Sequence, residues 1–183
     1  MLFGTEAFEL TILEKLHGAF SCGFMDWLMK AFSTIGNAGI VWILVVLIML
    51  AVKKYRKTGF MMAAGLILGL IIGNLVLKNV VARPRPCWLD DGIRLLISNP
   101  TDYSFPSGHT LASFVSAFVL LGDSKRLGIP ALIVAAFIAF SRMYLFVHFP
   151  TDIFGGILLA WLIVFGMKSF VKWYKKLAQN NEN

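Results

Sequence analysis

Charge is scarce in this chain. Only 15% of its 183 residues are Asp, Glu, Lys or Arg, against about 25% in an average soluble domain. Hydrophobic residues reach 58%, and the mean hydropathy is +0.75. A globule of this size leaves a large share of its surface exposed, so that much apolar side chain has nowhere to hide from water. The composition therefore excludes a disordered chain and a soluble enzyme of ordinary type. Cysteine is nearly absent. Cys22 and Cys87 are too few for a disulfide framework and fit no metal-ligand spacing. Basic residues are missing from the first stretch, where Glu6 is the first charge, so no cleavable signal peptide is expected. There is no internal repeat, low-complexity tract or polar linker domain. One integral membrane domain is what remains.

The chain nevertheless carries a net charge of +7, and the position of the charges decides what that means. Nucleic-acid binders carry basic stripes on a polar surface. Here the Lys and Arg gather between long apolar runs, at Lys53, Lys54, Arg56 and Lys57, at Lys125 and Arg126, and at Lys168, Lys172, Lys175 and Lys176. That is the pattern of cytoplasmic loops under the positive-inside rule, and it excludes a nucleic-acid partner. Apolar runs of about 20 residues, enough to cross the hydrocarbon core as helices, occupy 31–52, 58–77, 103–122, 127–147 and 149–167. The expected fold is all-α, a polytopic membrane bundle of five or six spans.

Residues 1–36 read differently. Phe8, Leu10, Ile12, Leu13, Leu16 and Phe20 suggest one helical face with Glu6, Glu9, Glu14 and Lys15 interspersed, which is the pattern of an interfacial helix. Residues 24–32, with Asp26 and Lys30, suggest a second such piece. The division expected is 1–36 interfacial helices, 37–176 the membrane domain and 177–183 a polar tail. Residues 79–102 form the only long connection and are expected to be a functional surface loop. With five spans, parity puts the clusters at 53–57, 123–126 and beyond 167 on the cytoplasmic side. The 79–102 loop and the turn at His148 then lie on the outer face.

Ionisable residues intrude on the ends of the spans, and parity brings them to one face. Lys78 ends the second run, with Arg83 and Arg85 just beyond. His109 opens the third, Arg142 and His148 close the fourth, and Asp152 opens the fifth. An ionisable group inside a span costs about 2.5–3.5 kcal/mol on insertion scales, so several at one depth mark a site. Single Lys and Arg residues snorkel, but two histidines and an aspartate do not. Gathered cations imply a multiply charged anion, and the fork of Arg donors suits tetrahedral oxyanions. Ser107 is placed to cap a helix whose positive end, opened by Gly108, favours phosphate. A neutral imidazole beside phosphate serves as nucleophile or proton donor, and His109 and His148 are both candidates. Pro150 at a helix start sets Asp152 within reach of His148, where a carboxylate fixes the tautomer.

Lys78-x6-Arg85-Pro86, Pro106-Ser107-Gly108-His109 and Ser141-Arg142-x5-His148-x3-Asp152 together resemble the three-part signature of the type 2 phosphatidic acid phosphatase superfamily. The resemblance runs from Lys78 to Asp152. It implies a helical core like that of the vanadium haloperoxidases and hydrolysis of a phosphate monoester or diphosphate with no metal and no other cofactor. It further implies that His148 attacks phosphorus and becomes phosphohistidine, supported by Asp152, while His109 protonates the leaving oxygen. Lys78, Arg85, Ser107, Gly108 and Arg142 would hold the phosphoryl oxygens, with Arg83 at most a helper. The expected partner is a lipid phosphate held in the bilayer. Undecaprenyl diphosphate is favoured, ahead of phosphatidylglycerol phosphate or phosphatidate. The competing reading is an anionic-lipid transporter or binding protein. It would need polar residues at mid-membrane, where the spans offer little beyond Asn74.

Overall fold

The computed structural model describes residues 4–90 and 92–181. Every regular element among them is helical. The order is α1 (Glu6–Phe20), α2 (Gly23–Ile35), α3 (Ile40–Ala51), α4 (Arg56–Gly69), α5 (Lys78–Val81), α6 (Pro86–Leu89), α7 (Gly108–Asp123), α8 (Lys125–Tyr144) and α9 (Pro150–Asn181). Four helical stretches are long and apolar enough to cross a membrane, namely Gly23–Ala51, Lys53–Leu89, Lys125–Tyr144 and Pro150–Asn180. The shorter apolar helix Gly108–Asp123 corresponds to the third expected run, 103–122. Its first residues, 103–107, are not helical, so this span begins later than its hydropathy suggests.

The bundle is organised for lipid rather than water. Ala117, Val115, Ala135, Ile138 and Ala160 are fully buried, and large apolar side chains such as Leu47, Ile48, Phe60, Leu158 and Phe165 face outward. Close helix approach supplies the packing that the hydrophobic effect cannot supply between helices in lipid. At Gly128 an added Cβ would lie 2.2 Å from Leu121 Cα across the α7–α8 hairpin, so that hairpin is built backbone against backbone. Trp42, Val46 and Met49 form the buried stripe of α3, and the Trp42 indole N–H donates to Ser113 Oγ of α7 at 2.9 Å.

Three local departures from the expected layout matter for function. The run 31–52 is broken by a turn at Asn37–Gly39, where Ala38 and Gly39 have positive φ. In α1 Leu10, Leu13 and Leu16 pack inward as expected, but two of the acidic residues join them. Glu6, Glu9 and Leu13 point into the protein, whereas Phe8 is 70% exposed. The reason is a buried guanidinium, Arg83, waiting on the protein side, while lipid accepts the phenylalanine. The stretch 79–102 is not simply a surface loop either. Arg83, Arg85 and Cys87 are buried, and the Cys87 N–H donates to Phe146 O at 3.2 Å. Asp91 lies outside the described residues. Cys22 is exposed and Cys87 buried, both as free thiols.

Candidate active site

The antiparallel run of α4, α7, α8 and α9 brings the end of one helix beside the start of the next, so the polar span ends meet. Between α4 and α5, residues Leu70–Leu77 wind as a π-helix, with the Lys78 N–H bonded back to Gly73 O. Such widened turns re-aim side chains and recur at functional sites. Ala82, at φ 47, then stops the helix. In Arg83-Pro84-Arg85-Pro86 each arginine precedes a proline, which steers it away from helical geometry. The two arginines end up on either side of one His–Asp couple.

That couple is His148 and Asp152. His148 Nδ1 lies 3.5 Å from Asp152 Oδ2 and 3.3 Å from Ser104 Oγ. Its Nε2 lies 3.2 Å from Arg85 Nη1. Arginine only donates, so Nε2 is the acceptor nitrogen and the ring proton sits on Nδ1, toward Asp152. Burial, and then the positive charges of Arg85, Arg142 and Lys78, hold the His148 pKa well below the usual imidazole value. Asp152 is fully buried. Its Oδ2 accepts from Phe149 N at 2.8 Å and from the Ser104 hydroxyl, while Oδ1 accepts from Arg83 Nη1 at 2.7 Å.

The cations stand around the other face of His148. Arg85 donates to Val147 O at 2.6 Å, Asp102 O at 2.7 Å and Asp102 Oδ1 at 2.7 Å. Lys78 Nζ donates to Asp102 Oδ2 at 2.5 Å. Burial alone would push the Asp102 carboxyl up, but Lys78 and Arg85 outweigh it and hold it at about 2. Arg142 donates to Ser33 Oγ, and its buried Nε has no hydrogen-bond partner among the described residues. A buried guanidinium N–H left unpaired is a donor suited to an anionic ligand. His109 Nε2 lies 3.0 Å from Asn37 Oδ1 in the turn before α3. A Cβ on neighbouring Gly36 would sit 2.9 Å from His109 Cδ2, so the turn is pressed against the ring.

Lys78, Arg85, Gly108, His109, Arg142 and His148 all line one cavity of about 720 Å³. Asp152 stands behind His148, outside that lining. Ser107 also stands back from it. Its hydroxyl accepts from Thr110 at the start of α7, and its N–H donates to Asp152 O at 3.2 Å. A Cβ on Gly108 would lie 2.8 Å from Asn74 Oδ1, so a neighbouring side chain, besides any ligand, demands glycine there. From this polar head the cavity continues between α3, α4 and α7 along Ile43, Val46, Leu66, Ile67, Leu70, Leu111 and Val115.

Several close neighbours were not evident beforehand: Ser33, Asn37, Asp102, Ser104 and Glu9. Ser104 and Asp102 sit just upstream of the Pro106-Ser107-Gly108-His109 motif, and their polarity beside a span is the signal they gave. Glu6 and Glu9, one helical turn apart on the face that also carries Leu13, mark the inner face of α1 by their spacing.

Two imidazoles and three cations meet at the head of an apolar cavity within a membrane helical bundle, an arrangement suited to a multiply charged anion. Residues 54–176 match the PAP2 superfamily, and the chain belongs to that superfamily. It is 38% identical over 124 residues to an undecaprenyl-diphosphatase of Sulfolobus acidocaldarius, covering 67% of this chain and 60% of that protein. It is 30% identical over 172 residues to phosphatidylglycerophosphatase B of Bacillus subtilis, covering 85% of this chain and 80% of that protein. Among solved structures, a transmembrane PAP2-type phosphatidylglycerolphosphate phosphatase of Bacillus subtilis superposes with a TM-score of 0.74. That match has 24% identity and covers 93% of this chain and 87% of the other, and it shows the shared fold.

Proposed function

We propose that this protein is a metal-independent lipid phosphatase or diphosphatase that acts through a phosphohistidine. The observation that carries this reading is the two-part cavity, with a cationic head holding two histidines and an apolar groove leading from it. The side of α4 along the groove from Ala63, with the π-helical turn that continues it to Asn74, spans about 16 Å at roughly 1.5 Å per residue. That suits an acyl or prenyl chain lying among the helices with its phosphate at the head. Polyprenyl diphosphates are the favoured substrates, with undecaprenyl diphosphate foremost. Phosphatidylglycerol phosphate and phosphatidate follow.

In this mechanism the His148 Nε2 lone pair attacks phosphorus and the bond to the leaving oxygen breaks. His109 gives that oxygen its proton. The Nδ1 proton stays on His148, and Asp152 stabilises the positive ring. Water then attacks phosphorus, the P–N bond breaks, and His109 takes the water's proton, which resets the site. Lys78, Arg85, Arg142 and the Gly108 N–H hold the phosphoryl oxygens, while Ser107 fixes the start of α7. Three cations against the single Asp102 carboxylate supply the charge neutralisation that a metal ion gives elsewhere. Phosphate release from a lipid diphosphate by the purified protein in detergent with EDTA is the test. Activity that appears only when a divalent cation is added would put a metal into the reaction, and no release at all would favour the transporter reading.

His109→Ala is expected to slow hydrolysis of alkyl phosphates by about 10²–10⁴-fold and that of an activated aryl phosphate much less, because an aryl oxide leaves unprotonated. Equal losses on both substrates would reduce His109 to a binding group.

The site is proposed to face the extracytoplasmic side, supported by parity and by the basic clusters at the opposite helix ends. In a variant without Cys22 and Cys87, a cysteine at exposed Arg94 should react with a membrane-impermeant maleimide in intact cells. A cysteine at exposed Lys54 should react only after the cells are broken. The reverse pattern would turn the site toward the cytoplasm.

A further inference from the structure

We infer that Arg83, held by Glu9 of α1, is a positioning residue that aims the Asp152 carboxylate at His148. The inference rests on the proposed role of Asp152 behind the nucleophile. Among the described residues Arg83 is one of the largest fully buried side chains, and Glu9 and Asp152 beside it are 3% and 0% exposed. The guanidinium divides its donors. Nη1 reaches Asp152 Oδ1 at 2.7 Å and Thr151 Oγ1 at 2.6 Å. Nη2 reaches the two Glu9 oxygens at 3.3 and 3.4 Å. Glu9 in turn accepts from Thr151 Oγ1 at 2.8 Å, and the Phe149 ring lies 4.1 Å from Arg83 Cζ.

The carboxyl torsion of an aspartate is soft and roughly two-fold, so nothing intrinsic decides which way its oxygens point. Here each oxygen has its own partners. Arg83 takes Oδ1, leaving Oδ2 for Ser104, Phe149 N and His148. If the cluster served only to fasten α1 to the bundle, an apolar contact would do as well, because buried ion pairs seldom outperform packed hydrophobic groups. What apolar packing cannot do is hold a carboxylate at one rotation while keeping it charged. Glu9 lies before residue 54, where the superfamily match begins. The N-terminal helix thus contributes to the chemistry from outside the matched region.

The experiment compares Glu9→Gln, Arg83→Met, Arg83→Lys and Asp152→Asn in detergent. It measures kcat and KM on a lipid phosphate and the inhibition constant of orthovanadate. The expected result is a kcat loss of about thirtyfold for Arg83→Met and about fivefold for Glu9→Gln, with KM and vanadate inhibition within about twofold of wild type. Arg83→Lys should recover part of the rate. Arg83→Met should cost nothing further when added to Asp152→Asn, since both remove one function. If Arg83→Met fails to fold, Glu9→Gln and Thr151→Val carry the same comparison. Wild-type kcat in these variants, with only a lower melting temperature, would overturn the inference and leave the cluster a packing device. Wild-type kcat in Asp152→Asn would overturn instead the role of Asp152 itself, and this inference with it.

Discussion

His148→Ala is expected to lose lipid phosphatase turnover by at least on the order of a thousandfold, because groups that act as a unit fail together when the nucleophile is removed. The geometry ties the effect to this ring. Its Nε2 lone pair points to the cationic side, 3.2 Å from Arg85, and its Nδ1 proton points to Asp152. Burial and three neighbouring cations keep the ring neutral, which is the form that attacks. As pH falls through the ordinary imidazole value near 6.5, His148 should therefore stay unprotonated, and its contribution to the acid limb should appear only below that pH. The alanine variant should insert normally and trap no acid-labile phosphoenzyme when quenched during turnover. Phosphoenzyme retained in His148→Ala would move the nucleophile elsewhere.

Most of this arrangement was legible in the sequence because lipid makes ionisable residues conspicuous. Lys78, His109, Arg142 and Asp152 each interrupt an apolar run, and helices of span length force such interruptions to one face. The bundle follows from the same runs. What was not legible depends on side-chain direction within short or irregular pieces. In α1 Glu14 and Lys15 are exposed as an amphipathic helix requires, but Glu6 and Glu9 turn inward because Arg83 offers them a buried partner. The break at Asn37–Gly39 is hidden within a run of continuous hydropathy, yet it delivers Asn37 to His109. The Arg83-Pro84-Arg85 pair could be ranked by spacing, but two arginines on opposite sides of one His–Asp couple become visible only in three dimensions. Ser107 shows the reverse case. Its capping role was legible, and its hydroxyl oxygen accepts from Thr110 in that cap.

Arg85→Lys, which keeps the charge, is expected to cost about 10²–10³-fold in kcat/KM, because a lysine cannot replace a planar fork at a site read in several directions. Arg85 is only 2% exposed, and its guanidinium donates to Val147 O, Asp102 O, Tyr103 O and the Asp102 carboxylate while facing His148 Nε2. One ammonium has three donors on a single atom and cannot serve partners on both sides of the cavity head. Carbonyls left unpaired in a buried setting cost about 1–3 kcal/mol each, so the variant should also melt earlier. The catalytic loss should have two parts. A rise in KM would report a phosphate less firmly gripped. A fall in kcat would report His148 free to turn and Asp102, no longer shared between Lys78 and Arg85, free to swing its negative charge toward the phosphoryl group. Steady-state kinetics on a lipid phosphate, with orthovanadate inhibition as the measure of oxyanion affinity, separates the two. Activity within about threefold of wild type would mean that Arg85 supplies only charge, which the lysine preserves.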